Sequence, residues 1–158
     1  MDEQVDSTLV QIGWVVHDLY EAMTRFGTLW CIDNWTVTEW PRKEPGNVVS
    51  WHRGDITTTW KARMASARLS SIEIELIQNL EGRSAYQEWI DLKGESPHHV
   101  MFRVVNLQSA IERYRCEGIS MITAAGVLRN GLFVPQWAIM DTAALLRLNT
   151  ELISDQGF

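Results

Sequence analysis

The feature that most constrains this chain is an internal repeat. Setting "VQIGWVVHDLYEAM" over "HHVMFRVVNLQSAI" aligns an apolar β-rich run, a capping residue and an amphipathic helix, and it places Gln11 on His99. Setting "IEIELIQ" over "LNTELIS" places Glu75 on Glu151. The offsets, 88 and 76 residues, differ by about the length of an extra loop after Pro41. A repeated supersecondary unit constrains the whole architecture, because each copy must bury the same faces.

Residues 8–16, "TLVQIGWVV", read as a strand. Asp18 then caps a helix, with Glu21 three residues on and an apolar face of Leu19, Ala22, Met23, Phe26 and Trp30. "DNWTVTEWP" alternates like a strand, "RKEPGNVVSWHRGD" has the composition of an exposed loop, and "ITTTWKARMASARL" and "SSIEIELIQN" read as a strand hairpin. "SAYQEWIDLKG" is a short helical connector ending at Gly94. The order then restarts: strand "HHVMFRVV", helix "LQSAIERYRCEG" capped by Asn106 and closed by Gly118, and strands "ISMITAAGVL", "LFVPQWAIMDT" and "LNTELIS". Each half is strand, helix, three strands, which predicts modules over 1–95 and 96–158 within one compact α+β domain.

The chain has 158 residues, 46% of them hydrophobic, enough for one core. A formal charge of −6 without a basic block lacks the electrostatic footprint of a nucleic-acid binder. Apolar runs stay well short of the roughly 20 residues of a membrane helix, and "MDEQVDS" lacks the basic-then-apolar order of a signal peptide, so the expectation is a soluble cytoplasmic protein without membrane partners. Cys31 and Cys116 show no metal-type spacing and read as reduced thiols. Eight tryptophans suit either an indole-rich core or an aromatic-lined pocket.

Strand alternation says which residues share a face. Ile72, Ile74 and Leu76 point under a helix, while Glu73 and Glu75 point away; Glu151 likewise opposes Thr150 and Leu152. His99 shares a face with Met101 and Arg103, whereas His98 lies with Val100, Phe102 and Val104 on the apolar side. Gln11, Glu75, His99 and Glu151 thus come from equivalent strands of two repeats. Two carboxylates, a carboxamide and an imidazole suit a borderline or hard divalent ion such as Zn, Ni, Co, Mn or Fe. Taken singly, each has a bland reading as a solvated or structurally satisfied side chain; the joint placement is what singles them out.

The chain resembles the vicinal oxygen chelate superfamily, which includes glyoxalase I, methylmalonyl-CoA epimerase, extradiol dioxygenases and fosfomycin and bleomycin resistance proteins. The matching stretches are "QIGWVVHDLYEAM", "IELIQNLEGRSAYQEWIDLKGESPHHVMFRV" and "MDTAALLRLNTELI", and "ELIQNLEG" followed by "GESPHHV" is most like the epimerase and glyoxalase I branch. The resemblance implies two βαβββ modules whose mixed sheet curls around a shared pocket. It implies metal ligands on the first and fourth strand of each module, the positions of Gln11, Glu75, His99 and Glu151. Many members have His where Gln11 stands, yet Gln, Glu, His, Glu is an order used by zinc-type glyoxalase I. Extradiol dioxygenases resemble one another in using two histidines and a carboxylate, which this set lacks.

The activity implied by the resemblance is metal-dependent isomerisation, epimerisation or lysis at a carbon beside a carbonyl. Glu151 is then the base, and Glu75 and His99 complete the catalytic group. The epimerase-type second glutamate is missing, since the matching place holds Trp60 or Lys61. Lys61 is a proton donor or anion contact, or else a solvated edge lysine. Trp60 and Trp137, with Arg103 on the His99 face, are the remaining pocket candidates for a bulky hydrophobic or aromatic small-molecule substrate, while Trp14, opposite Gln11, reads as core. The alternatives are a metal-free enzyme of this fold catalysing a cyclisation, decarboxylation or rearrangement, and a protein that sequesters an aromatic compound. The resemblance also implies a homodimer, with the site inside one chain or divided between two.

Overall fold

A computed structural model describes residues 7–41, 48–56 and 59–154. Its elements are β1 (Ser7–Val15), α1 (Leu19–Trp30), β2 (Thr36–Trp40), β3 (Val48–His52), β4 (Trp60–Leu69), β5 (Ile72–Gly82), α2 (Ala85–Lys93), β6 (Ser96–Val104), α3 (Leu107–Cys116), β7 (Met121–Arg129), β8 (Leu132–Met140), α4 (Ala143–Leu146) and β9 (Asn149–Ser154). The fold is α+β, with the βαβββ order twice: β1-α1-β2-β4-β5 and β6-α3-β7-β8-β9. By contact the chain forms two units, residues 11–45 with 58–99, and residues 1–10 with 46–57 and 100–158.

In the first unit the strand order is β2-β4-β5-β1, followed by the leading residues of β6. β1 runs parallel to β5, with Gln11 opposite Glu73 and Trp14 opposite Leu76, while β4 pairs antiparallel with both β5 and β2. The helix starts follow the capping chemistry expected of them. Asp18 Oδ1 accepts from the Glu21 amide at 2.8 Å, and Ser84 Oγ accepts from the Gln87 amide at 3.1 Å; each satisfies a backbone N–H that the first turn leaves unpaired. Gly94, at φ 71°, ends α2 in a conformation that side chains rarely adopt. Leu19 and Ala22 of α1 are fully buried against Val16, Ala65 and Leu76, and Trp14, Met23, Phe26 and Trp35 pack around them. Trp14 is therefore core, edge-on to Phe26 and Trp30.

The second unit carries the later residues of β6, then β9-β8-β7-β3. Its core is Val104, Leu107, Ala110, Ile111, Ala124, Ala138, Met140 and Leu152 under α3, whose N-terminus is capped by Asn106 accepting from the Ser109 amide at 2.9 Å. β7 and β8 form a hairpin turning at Asn130 and Gly131, both at positive φ, the pair of conformations that a two-residue hairpin turn of right-handed strands requires.

The loop expected after Pro41 is corrected in part. Residues 42–47 lie outside the described residues, but Val48–His52 form β3, antiparallel to β7 with Val49 opposite Gly126 and Trp51 opposite Ala124. Two valines and a tryptophan favour strand, and the edge of β7 supplies the amides and carbonyls that a loop would otherwise have to satisfy with water. Trp51 packs on the α3 core cluster, so this indole too is structural. The short α4 has no counterpart among the elements expected from sequence.

Candidate active site and metal centre

Three of the four residues singled out from the repeat meet within the first unit. Gln11 and Glu73 face each other directly across the parallel β1/β5 ladder, and Gln11 Nε2 donates to Glu73 Oε1 at 2.6 Å. That bond settles which end of the amide points onward: Gln11 Oε1 stands 3.2 Å from His99 Nε2. Glu75, two residues along the same face of β5, brings Oε2 to 3.8 Å from that nitrogen. The ring of His99 lies over Gly13, where a Cβ would stand 2.6 Å from Nε2 and 2.8 Å from Nδ1. A residue without a side chain at position 13 is thus what leaves room for the imidazole.

Both histidines of the doublet are fully buried. His98 Nδ1 lies 3.0 Å from His99 Nδ1, and the His98 ring is walled by Tyr86 and Trp89, with centroids 5.0 and 5.1 Å away. Burial costs the charged form most, which pushes His99 down to about 3; His98 is held well below the usual histidine range by burial and then by His99, opposed by a hydrogen bond to the Ala85 backbone. Both rings are neutral near pH 7, and neutral imidazole is the form that ligates metals.

Two of the donor separations can be compared with those about a divalent ion. Ligand atoms about 2.0–2.2 Å from a four-coordinate zinc stand roughly 3.2–3.6 Å apart, and the separations of 3.2 and 3.8 Å about His99 Nε2 are close to that. Among the described residues no three His, Cys, Asp or Glu side chains group as a metal site; the third donor of this trio is a carboxamide oxygen.

The other residues expected at the site are described each within its own unit. Glu151, in the second unit, is 8% exposed on β9 opposite Ile139, alternating with the core residue Leu152. Trp60 is 4% exposed, stacked on Trp40 at 5.3 Å and edge-on to Tyr86 at 5.6 Å, so it sits in an aromatic row that continues through Tyr86 to His98. Lys61 alternates away from it and pairs with Glu81 at the surface, 2.8 Å apart. Arg103 is exposed on β6, and Trp137 is partly buried on β8 opposite Ala125 and Ile153. Sequence reasoning missed the parts played by Glu73, Gly13 and His98. Glu73 had a signal, sharing a face with Glu75; His98 had only its adjacency to His99, because alternation assigns it to the apolar side.

A βαβββ repeat with a polar centre carried on β1, β5 and β6 defines the class. Residues 10–133 match the family model of the Glyoxalase/Bleomycin resistance protein/Dioxygenase superfamily, and the chain belongs to that superfamily. No curated protein matches it. Among solved structures it is similar to methylmalonyl-CoA epimerase from Mycobacterium tuberculosis, at 18% identity over 98% of this chain and 91% of that one, with a TM-score of 0.62. A hypothetical protein from Bacillus halodurans is similar at 17% identity over 95% of both chains, TM-score 0.60. A mutant 4-hydroxymandelate synthase from Streptomyces coelicolor is similar at 14% identity over 96% of this chain and 39% of that one, TM-score 0.63. The likeness is one of fold. Among the described residues no helix is long and apolar enough to cross a membrane.

Proposed function

We propose that the protein is an enzyme, an isomerase, epimerase or lyase acting at a carbon beside a carbonyl of a bulky hydrophobic or aromatic substrate, with a divalent ion held by Gln11, Glu75 and His99 together with Glu151 of the second module. The observation that carries the proposal is the convergence of Gln11 Oε1 and Glu75 Oε2 on the nitrogen of a neutral, fully buried imidazole. A divalent ion bound there supplies Lewis acidity, lowering the cost of negative charge on a substrate oxygen. The chain's own residues do the rest. Glu151 takes the proton from the carbon and returns it; Glu73 keeps the Gln11 carbonyl aimed at the centre; the Trp60, Tyr86 and Trp89 row keeps water from the back of His98. The epimerase and the synthase among the structural neighbours support an enzyme of this fold. Trp60 is packed among other rings, so Trp137 and Arg103 are the candidate substrate contacts.

Metal analysis by plasma mass spectrometry of protein made without a histidine tag tests the centre. About one divalent ion per site is expected, and its loss in His99→Ala. Absence of metal after incubation with Zn, Ni, Co, Mn and Fe(II) would sink the metal-dependent reading. The metal-free reading would then lead, with His99 Nε2 donating to Gln11 Oε1 and Gln11 Nε2 donating to Glu73 Oε1. For the base, Glu151→Gln should slow deuterium uptake beside the carbonyl in a panel of aryl ketones and aryl thioesters by about 10²–10⁴-fold, the usual contribution of a general base. An unchanged rate removes Glu151 from the mechanism.

A further inference from the structure

We infer that His52 is a specificity-determining residue: through Nε2 it binds a hydroxyl group at the end of the substrate remote from Glu151. The residues that carry this inference all belong to the second unit. β3 lies outside the βαβββ repeat and joins the edge of β7, with His52 opposite Thr123. The pairing runs on across the sheet, Thr123 opposite Ile139 on β8 and Ile139 opposite Glu151 on β9. Side chains directly opposite one another in antiparallel strands share a face, so His52, Thr123, Ile139 and Glu151 form one row. Their sequence neighbours Trp51, Ala124, Ala138, Met140 and Leu152 pack in the core under α3, which puts the row on the other face of the sheet. Ala125 and Trp137, opposite each other on β7 and β8, lie in the next row of that face.

The His52 ring is held in place by backbone and side chain together. Arg53 and Gly54, both at positive φ, close a two-residue turn in which His52 and Asp55 exchange backbone hydrogen bonds at 2.9 Å. Thr123 Oγ1 donates its one proton to the Trp51 carbonyl at 3.1 Å, so toward His52 Nδ1, 3.0 Å away, it can only accept. His52 Nδ1 therefore carries a proton and donates it, and any contact the ring makes with a small molecule is made through Nε2. A hydroxyl suits that nitrogen in either charge state, since it donates to a bare Nε2 and accepts from a protonated one. Covering the edge of β7 does not require such a pair: His52 and Thr123 are 3% and 1% exposed, and two apolar side chains would do so without polar atoms to satisfy. Distance decides between a second base and a binding group. Three strand spacings of about 4.8 Å put His52 and Glu151 roughly 14 Å apart, too far for both to act on one carbon. With about 3 Å allowed for the contact at each end, roughly 8 Å remains, the span of two fused aromatic rings substituted at opposite ends. Ile139 and Trp137, on the strand between, offer apolar surface to such a body. The inference rests on the proposed role of Glu151 as the base, which fixes the end of the substrate that lies there.

Calorimetric titration with two probes, 6-acetyl-2-naphthol and 2-acetylnaphthalene, tests the contact, because they differ only in the distal hydroxyl. The wild type is expected to bind the naphthol about 5- to 10-fold more tightly, the usual worth of one hydrogen bond. A wild type without that preference, neither probe bound included, overturns the inference. His52→Asn keeps an amide N–H where Nδ1 stands, so the bond to Thr123 and the urea midpoint should survive, but it has no group at the Nε2 position and the preference should fall to near unity. His52→Gln is expected to do the reverse, since its amide reaches the Nε2 position and abandons Thr123: a lower urea midpoint with part of the preference kept. If His52 only ties β3 to β7, the preference will be the same in wild type and His52→Asn, and that result also overturns the inference. Glu151→Gln separates this contact from the base. If the naphthol preference depends on His52 while Glu151→Gln leaves the exchange rate beside the carbonyl unchanged, the His52 contact stands and the base assignment fails.

Discussion

Gly13→Ala is expected to disable the centre by adding one methyl group. The added carbon would stand 2.6 Å from His99 Nε2 and 2.8 Å from Nδ1, inside van der Waals contact, and the ring has no exposed side toward which to retreat. The conflict has two resolutions: β1 moves away from β6, or the imidazole leaves its rotamer. Overpacking of this kind costs about 1–3 kcal/mol, to be read as a lower urea midpoint with an unchanged slope. Either resolution also breaks the 3.2 Å approach of Nε2 to Gln11, so Co(II) binding should be lost beyond the global destabilisation. Wild-type metal affinity in a folded Gly13→Ala protein would mean that the ring does not lie over that glycine.

The second large expectation concerns acid. His98 and His99 are both pushed down by burial, His99 to about 3, whereas in the unfolded chain each takes up a proton near the ordinary histidine value of about 6.5. The unfolded state therefore binds more protons below that value, and stability rises with pH. The contribution is fully present above about 6.5 and is lost as pH falls from there toward 3. The His99 proton gives a slope of about 1.4 kcal/mol per pH unit, so metal-free protein should lose roughly 2 kcal/mol between neutral pH and pH 5 from this group, and His98, held down in the same direction, adds to the loss. Thermal or urea unfolding at half-unit steps checks it, and His98→Phe should make the slope shallower. A flat profile between pH 7 and pH 5 would mean that the doublet is hydrated in solution.

Most of the scaffold was legible because it depends on short-range rules. Asp18 and Asn106 cap the helices that follow them because a side-chain oxygen two or three residues from a free amide finds it without help from the rest of the fold. Alternation puts Glu73 and Glu75 opposite Ile74 and Leu76, and the core bears out Ile74 and Leu76. β3 was not legible in the same way. Its five residues become a strand by borrowing the edge of β7, some seventy residues on, and composition next to Pro41 and Gly46 reads as loop.

The candidate site divides along the same line. The repeat and the alternation of residue faces were enough to single out Gln11, Glu75 and His99, because a donor's face on a strand is set by its position alone. What only the tertiary structure decided is how these donors are aimed. The Gln11 amide is oriented by Glu73 across a parallel ladder, and the His99 ring is admitted by the missing side chain of Gly13. His98 reads as an apolar-face residue and is packed as one, yet its Nδ1 reaches back to its neighbour's ring. Strand periodicity specifies the direction of a Cα–Cβ bond. Where the last atoms of a long polar side chain point depends on the hydrogen-bond partners that packing brings within about 3 Å, and those come from parts of the chain remote in sequence.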